Sequence, residues 1–267
     1  MTRVGTRGKA NAMQDYPPDR FPALLARLEP RPWHTAARFL LRSGGARVAV
    51  DDPRRPLAAA VMLPASSLGG AYLISLGNPE ALQDFLAEEP GVSRLWVSDA
   101  ETERLLRDTL FGDQRTDITI LAATEEWQLP PLERATVQPR SLGPTDADIV
   151  TLLLRGEGEW LTDAFGSVTA LLAEGLADGI EEDGKLVAIA ATWAIAAPYA
   201  EVGAHTDPSA RGKGYATACA HSLMRIIAAK GLLPQWTTFT DNATSLGLAH
   251  MLGLVPVDAG IEYRRDE

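Results

Sequence analysis

The residues best equipped for chemistry are gathered at Arg211-Gly212-Lys213-Gly214-Tyr215-Ala216. They follow Thr206-Asp207-Pro208-Ser209-Ala210, the exit of a strand-like run, and open an amphipathic helical run with a stripe of Ala216, Ala220, Leu223 and Ile227. A strand-to-helix junction of this composition makes an anion site. Gly212 and Gly214 lack a Cβ, so the backbone can bend sharply and approach a ligand, while the first helical N–H groups have no intrahelical partner. Those amides and the positive end of the helix dipole favour phosphate or pyrophosphate, and Arg211 or Lys213 adds charge. Two other phosphate-binding designs do not fit. The glycine spacing is shorter than that of a loop ending in Lys-Ser or Lys-Thr, and a dinucleotide turn needs a third glycine and an early βαβ position.

The remaining reactive residue types are scattered. His34, His205, His221 and His250 have no mutual spacing that suggests a metal site, so no metal is expected. Cys219 falls inside the helical run, where a small apolar residue is expected, and a single cysteine precludes an internal disulfide, which is compatible with a cytoplasmic location. Trp160, Phe165 and Trp193 either line an acceptor pocket beside Glu157-Gly158-Glu159-Trp160 or serve the core.

Hydrophobic periodicity supplies the elements that must hold the turn. In the second half a strand is expected over Ala135 to Leu142. A helix capped by Thr145 and carrying Ile149, Leu152 and Leu153 follows, then a second helix from Ser167. A hairpin follows, Gly179 to Glu182 and Lys185 to Trp193, joined by Asp183-Gly184, a pair suited to the positive φ of a tight turn. A strand from Ala200 to Thr206 leads into the glycine turn and a helix to Lys230. Strand Gln235 to Phe239, helix Thr244 to Leu252 ending at Gly253, and strand Val255 to Arg264 complete the half.

The first half runs through a similar order. It offers a helical region from Phe21 to Leu41, strands at Arg47 to Val50, Leu57 to Leu63 and Ala71 to Leu76, a helix at Pro79 to Glu88, a strand at Leu95 to Ser98 and a helix at Glu101 to Phe111. Where the second half has its glycine turn, the first has Ser75-Leu76-Gly77-Asn78-Pro79. We therefore divide the chain into a loose leader (1–19), a degenerate copy (20–124), a Pro-rich linker (125–133) and an active half (134–267). The chain is 267 residues long and 46% hydrophobic, enough for two modest cores. Its net charge of −10 argues against nucleic acid as a partner, and apolar runs such as Leu186 to Ala197 are too short to span a membrane.

With these motifs the sequence resembles the GNAT superfamily of acyl-CoA-dependent N-acetyltransferases, whose signature is Gln or Arg, two residues, Gly, one residue, then Gly or Ala. Arg211, Gly214 and Ala216 fit it. Thr206-Asp207-Pro208 before the turn matches as well, and so does Asn242-Ala243-Thr244-Ser245 with Leu248, Gly253 and Leu254 after it. The resemblance covers about Ala135 to Arg264. The Trp236 strand with Asp241-Asn242 and the extra first half look like the two-part members, in which a truncated GNAT-like half precedes the active one.

The resemblance implies an α+β fold: a mixed, mostly antiparallel sheet flanked by helices, with a second truncated half. It implies that the amides of Gly212, Lys213, Gly214, Tyr215, Ala216 and Thr217 receive the coenzyme pyrophosphate. Backbone groups of Ala204, His205 and Thr206 would then pair with its pantetheine arm along a splayed strand. Asn242 would either bond the coenzyme or cap the next helix. The tyrosine that many members use as acid, seven residues after the asparagine, is Ala249 here, with His250 beside it. Glu201 stands one residue from a position where some relatives carry a catalytic glutamate, an offset that a β-bulge could absorb. His205 is a second candidate base, since its ordinary pKa suits proton transfer. The implied activity is transfer of an acetyl group from acetyl-CoA to a primary amine of a small molecule by direct attack in a ternary complex. A non-catalytic acyl-CoA-binding or sensor protein is the alternative. The chain could act as a homodimer or as a monomer with an internal pseudo-dimer.

Overall fold

The computed structural model of the chain describes residues 13–64, 69–89, 91–109, 115–132 and 137–265. Residues 1–12 of the expected leader, Ala135 at the start of an expected strand and Phe111 at the end of an expected helix lie outside these ranges. The first half contains β1 (Gln14–Asp15), α1 (Phe21–Leu25), α2 (Thr35–Ser43), β2 (Arg47–Val50), β3 (Ala58–Met62), β4 (Gly70–Ser75), α3 (Glu80–Glu88), β5 (Arg94–Val97), α4 (Ala100–Thr109) and β6 (Arg115–Ala122). The second contains β7 (Arg140–Ser141), α5 (Ala147–Leu154), α6 (Val168–Glu174), β8 (Ala177–Glu182), β9 (Lys185–Ala196), β10 (Tyr199–Thr206), α7 (Tyr215–Ala229), β11 (Leu233–Phe239), α8 (Ala243–Met251) and β12 (Val255–Arg264).

The twelve strands of the described residues join one sheet in the order β1-β2-β3-β4-β5-β12-β6-β11-β10-β9-β8-β7. The order is symmetric about its centre once the final strands are exchanged: β6 of the first half lies against β11, and β12 of the second lies against β5. The two exchanged strands pair antiparallel with each other. The parallel pairs among the described strands are β4 with β5 and β10 with β11, which occupy equivalent places in the two halves. The mixed sheet flanked by helices is the architecture that the resemblance implies.

Alternation along the strands sorts side chains onto two faces. One face carries a core shared by both halves, in which Phe21, Leu24 and Leu40 of the first half join Val150, Leu171 and Trp193 of the second. The opposite face carries two separate cores. One lies under α7, with Cys219, Leu223 and Ile227, and the other lies under α3 and α4, with Leu82, Phe85 and Leu106. β9 is buried over nearly its whole length, as a strand covered on both faces must be. Its hairpin to β8 turns at Asp183 (φ 52°) and Gly184 (φ 75°), as the Asp-Gly pair predicts.

Several expected elements differ. The helical region from Phe21 to Leu41 is broken into α1 and α2, because Pro30 and Pro32 cannot continue a helix and Pro32 instead opens a 3-10 turn. Tyr16, placed in the leader, is buried, and its N–H donates to Val48 (2.7 Å). Of the strand expected over Ala135 to Leu142, the described residues 137–142 form only the two-residue β7. Thr145 does not cap α5: the Asp146 carboxylate instead accepts the Gly143 N–H (2.9 Å). Leu152 of that helix is exposed. Ser167 does cap α6, accepting from Ala170 N (3.1 Å). β6 was not anticipated, although Thr116, Ile118, Thr119 and Ile120 form a β-branched run.

The exchanged β12 is locked to the first half by two contacts. Asp258 accepts Arg31 Nη2 (2.6 Å), Arg31 Nε (2.9 Å) and the Trp33 N–H (3.2 Å). The Trp33 indole lies directly on the backbone of Gly260, where an added Cβ would come within 1.8 Å of the ring. Gly260→Ala must therefore displace a buried indole at the centre of the sheet. We expect it to destabilise the protein by about 1–3 kcal/mol, read as a lowered Tm in thermal unfolding. An unchanged Tm would show that Trp33 can move at no cost.

Candidate active site

β10 and β11 pair over only three residues each, Tyr199 to Glu201 against Leu233 to Gln235. Beyond Glu201, β10 stays with β9 through Thr206 while β11 stays with β6 through Phe239, so the two strands splay apart. The register of β9 with β10 slips at the same place. Glu201 faces Ala194 and Val202 faces Thr192, which leaves Trp193 as the extra residue of a bulge. Its Nε1 donates to the Trp160 carbonyl (2.8 Å), fixing the loop above the splay.

A cavity of about 1220 Å³ fills the splay. One end is the glycine turn with Asn242 and Ser245, and the other is formed by Tyr72, Arg94, Trp96 and Glu262. Single small-ligand pockets run to roughly 1,000 Å³, so this volume leaves room for a long ligand and a second, smaller one. Of the residues expected at the site, Glu201, Ala204, His205, Thr206, Arg211, Gly212, Gly214, Tyr215, Ala216, Thr217 and Asn242 all line it.

The turn has the geometry of an anion cradle. Gly212 and Gly214 both sit at φ 80°, a region costly for residues with a Cβ, and α7 starts immediately after. The first amide to enter the helical ladder is Ala218, which donates to Gly214 (3.0 Å), so those of Tyr215, Ala216 and Thr217 stand ahead of it. The buried Thr206 Oγ1, at the foot of the turn, has no hydrogen-bond partner. A coenzyme pyrophosphate and pantetheine arm fit these groups. Lys213 differs from expectation: its Nζ is held by Glu182 (2.7 and 2.8 Å), which also accepts from Tyr215 Oη (3.1 Å). Arg211 is ion-paired with Glu157 at the surface. Asn242 Oδ1 accepts the Ser245 N–H (3.1 Å) and so caps α8 while facing the cavity.

The equivalent turn of the first half is closed. Leu76 N and Asn78 N both donate to the Leu57 carbonyl (2.8 and 3.1 Å), and Asn78 Nδ2 donates to Asp51 (2.7 Å). Amides spent in this way cannot serve a phosphate.

Glu201 stands at the vertex of the splay. Protein surrounds it on every side but the cavity, and this burial pushes its carboxyl up to about 7, with only a partial offset from the Thr237 hydroxyl. Gln235 Nε2 approaches Glu201 Oε2 at 3.4 Å, and Gln235 Oε1 accepts from Thr35 Oγ1 (2.8 Å). Thr35 and Gln235 are both 1% exposed, so α2 of the first half fixes the side chain beside Glu201. His205 is half-buried. Burial and then the nearby Arg211 charge hold it below its ordinary value, so it is neutral at pH 7. Ala249 is fully buried and His250 Nδ1 contacts the Leu254 carbonyl (3.3 Å), so neither replaces the family's tyrosine.

The deep end of the cavity was not foreseen. Tyr72, Trp96 and Glu262 are cross-strand neighbours in register on β4, β5 and β12. The Tyr72 ring stacks on Trp96 (5.0 Å between centroids) and meets Trp33 edge-on (6.4 Å). Burial, then the charges of Glu201 and Glu262, keep its phenol well above the ordinary value and protonated. Glu262 accepts Trp96 Nε1 (3.0 Å) and Arg264 Nε (2.6 Å). Trp160 and Trp193 line the cavity as one expectation had it, but Phe165 packs on Phe39 (4.8 Å) in the core. Among the described residues there is no cluster of metal-ligating side chains, and no helix is long and apolar enough to cross a membrane.

A family model described as GNAT acetyltransferase matches residues 34–259. Among solved structures, the chain resembles a GCN5-related N-acetyltransferase-like protein from Streptococcus suis 89/1591, with 20% identity and a TM-score of 0.70 over 93% of this chain and 99% of that one. It resembles a GCN5-related N-acetyltransferase from Kribbella flavida, with 17% identity and a TM-score of 0.65 over 88% and 94% of the two chains. A tandem GNAT protein from the clavulanic acid biosynthesis pathway has 14% identity and a TM-score of 0.62 over 94% and 97%. No curated protein matches the sequence.

Two outcomes are expected of this geometry. Gly214→Asp puts a carboxylate and a strained φ into the cradle, and should weaken CoA binding in calorimetry by at least about tenfold, since it replaces attraction by repulsion. The second concerns Glu201, whose folded pKa lies above the ordinary 4.5. Its contribution to stability is complete below about pH 4.5 and is lost as pH rises through about 7. Glu201→Gln should flatten that decline in denaturant titrations between these pH values.

Proposed function

Since the chain belongs to the GNAT acetyltransferase family, we propose that this acyltransferase moves an acetyl group from acetyl-CoA to a primary amine of a small molecule while both occupy the cleft. The observation that carries the reading is the single cavity running from the amide-lined turn, past Glu201, to a pocket walled by the first half. The turn amides and Thr206 hold the coenzyme, and the unpaired edge of β10 runs beside its arm. Glu201 accepts a proton from the incoming ammonium, a role suited to a carboxyl poised near 7. The neutral amine then forms the N–C bond as the C–S bond breaks; the acylated nitrogen gives up its second proton to solvent, and the departing thiolate takes one up from solvent.

The first half acts as a degenerate copy that binds no coenzyme, a reading supported by the Leu76 and Asn78 amides of its turn being bonded to Leu57. Its roles are to wall the acceptor pocket and, through Thr35 and Gln235, to orient Glu201. The internal exchange of β6 and β12 supports a monomer that already contains its pseudo-dimer. Acetyl-CoA as donor fits a cytoplasmic location.

The test is incubation with acetyl-CoA and a panel of primary amines, monitored for free thiol. Glu201→Gln should lower kcat/KM by about 10²-fold or more and remove the rising limb of the pH profile near 7. Thr35→Val should shift that limb and leave CoA affinity unchanged. Coenzyme binding without turnover on any amine would instead make this a non-catalytic acyl-CoA sensor.

A further inference from the structure

At the end of the cavity away from the glycine turn, Arg94 and Glu262 line the wall, and Glu262 is ion-paired with Arg264, which lies outside the lining. Glu262 is already satisfied, since one oxygen takes Arg264 Nε at 2.6 Å and the other takes Trp96 Nε1 at 3.0 Å. Arg264 in turn lies over the Phe239 ring, 5.7 Å from its centroid. Arg94 is in a different condition. It lines the cavity, and among the described residues its one polar contact is Glu262 at 3.9 Å, too long for a hydrogen bond. A fork of five N–H donors, partly covered and unmatched, faces the space that an acceptor would enter. The stacked rings of Tyr72 and Trp96 line the same cavity as Arg94 and Glu201 and offer a flat apolar surface.

The geometry points to Arg94 as the anchor for an anionic group on the acceptor, so that the substrate class is an amine that also bears a carboxylate on an apolar body, an amino-acid-like molecule. Its ammonium end would meet Glu201, its apolar part would lie along Tyr72 and Trp96, and its carboxylate would be gripped by the Arg94 fork. The inference rests on the acetyl-transfer reading for the amine end only. The anion site stands on the unmatched guanidinium. The same arrangement explains why a strand of the first half, with no role in coenzyme binding, keeps an arginine within the cavity.

The experiment compares amines that differ only by a carboxylate: phenylalanine with phenethylamine, leucine with isoamylamine, and 6-aminohexanoate with pentylamine. Binding to the CoA complex is read by tryptophan fluorescence, and acetyl transfer by thiol release. The carboxylated member of at least one pair should bind and react about tenfold or more better, and Arg94→Gln should erase that preference. Arg94→Lys should restore part of it, since a point charge replaces the fork. Equal or better binding of every decarboxylated amine, binding of none of the six, or a preference that survives Arg94→Gln would overturn the inference. Should Arg94→Gln fail to fold, the preference of the unaltered protein decides the matter alone. Selective binding of carboxylated amines without any acetyl transfer would keep the anion site and sink the proposed reaction.

Discussion

The antiparallel pairing of β6 with β12 is the constraint on which the rest of the molecule depends. Each strand ends its own half in sequence and completes the other half in space, so neither half has a finished sheet without its neighbour. Backbone hydrogen bonds across the exchange leave no open edge at the centre. The exchange also sets side-chain position. Because β12 pairs with β5 in register, Glu262 comes beside Trp96 and Tyr72, and because β6 pairs with β11, that cluster is brought along one face to the splay at Glu201. A slip of one residue at either ladder would turn these side chains to the opposite face.

Charge at the site divides into groups already paired and groups left available. Lys213 is matched by Glu182, Arg211 by Glu157, and Glu262 by Arg264 and the Trp96 indole. Among the groups facing the cavity are a set of helix-start amides, the buried hydroxyl of Thr206, the carboxyl of Glu201 and the guanidinium of Arg94. These lie at successive points along one channel. The first two suit an anion and an extended chain, the third a proton in transit, and the fourth a second anion.

The two halves show how one strand order serves two ends. After β10 the chain turns through two glycines with positive φ and leaves its amides free, whereas after β4 the corresponding amides are consumed by the Leu57 carbonyl. The indole of Trp96 also lies on Gly70, where an added Cβ would fall 2.1 Å from the ring. The turn of the first half thus spends two of its amides internally, and this half presents a packed aromatic wall to the cavity of the second.

Alternation, helical stripes and glycine where φ must be positive made most of the elements, their similar order in the two halves and the strand–glycine turn–helix junction legible in the sequence, while the α+β fold was reached through the family resemblance. Glu201 was reached through the family resemblance, whereas the bulge beside it lies on the neighbouring strand, where Trp193 of β9 is the extra residue. β6 was missed because its identity as a strand rests on partners more than a hundred residues away. The helical region after Phe21 was misjudged for a related reason, as Arg31 and Trp33 between its two prolines are held by Asp258 and Gly260 of β12. Only the tertiary structure decided that Lys213 turns to Glu182, that Thr35 orients Gln235 next to Glu201, and that Tyr72, Arg94, Trp96 and Glu262 face one cavity. Their nearness follows from strand register across an exchanged pair, a long-range property that no local pattern of residues encodes.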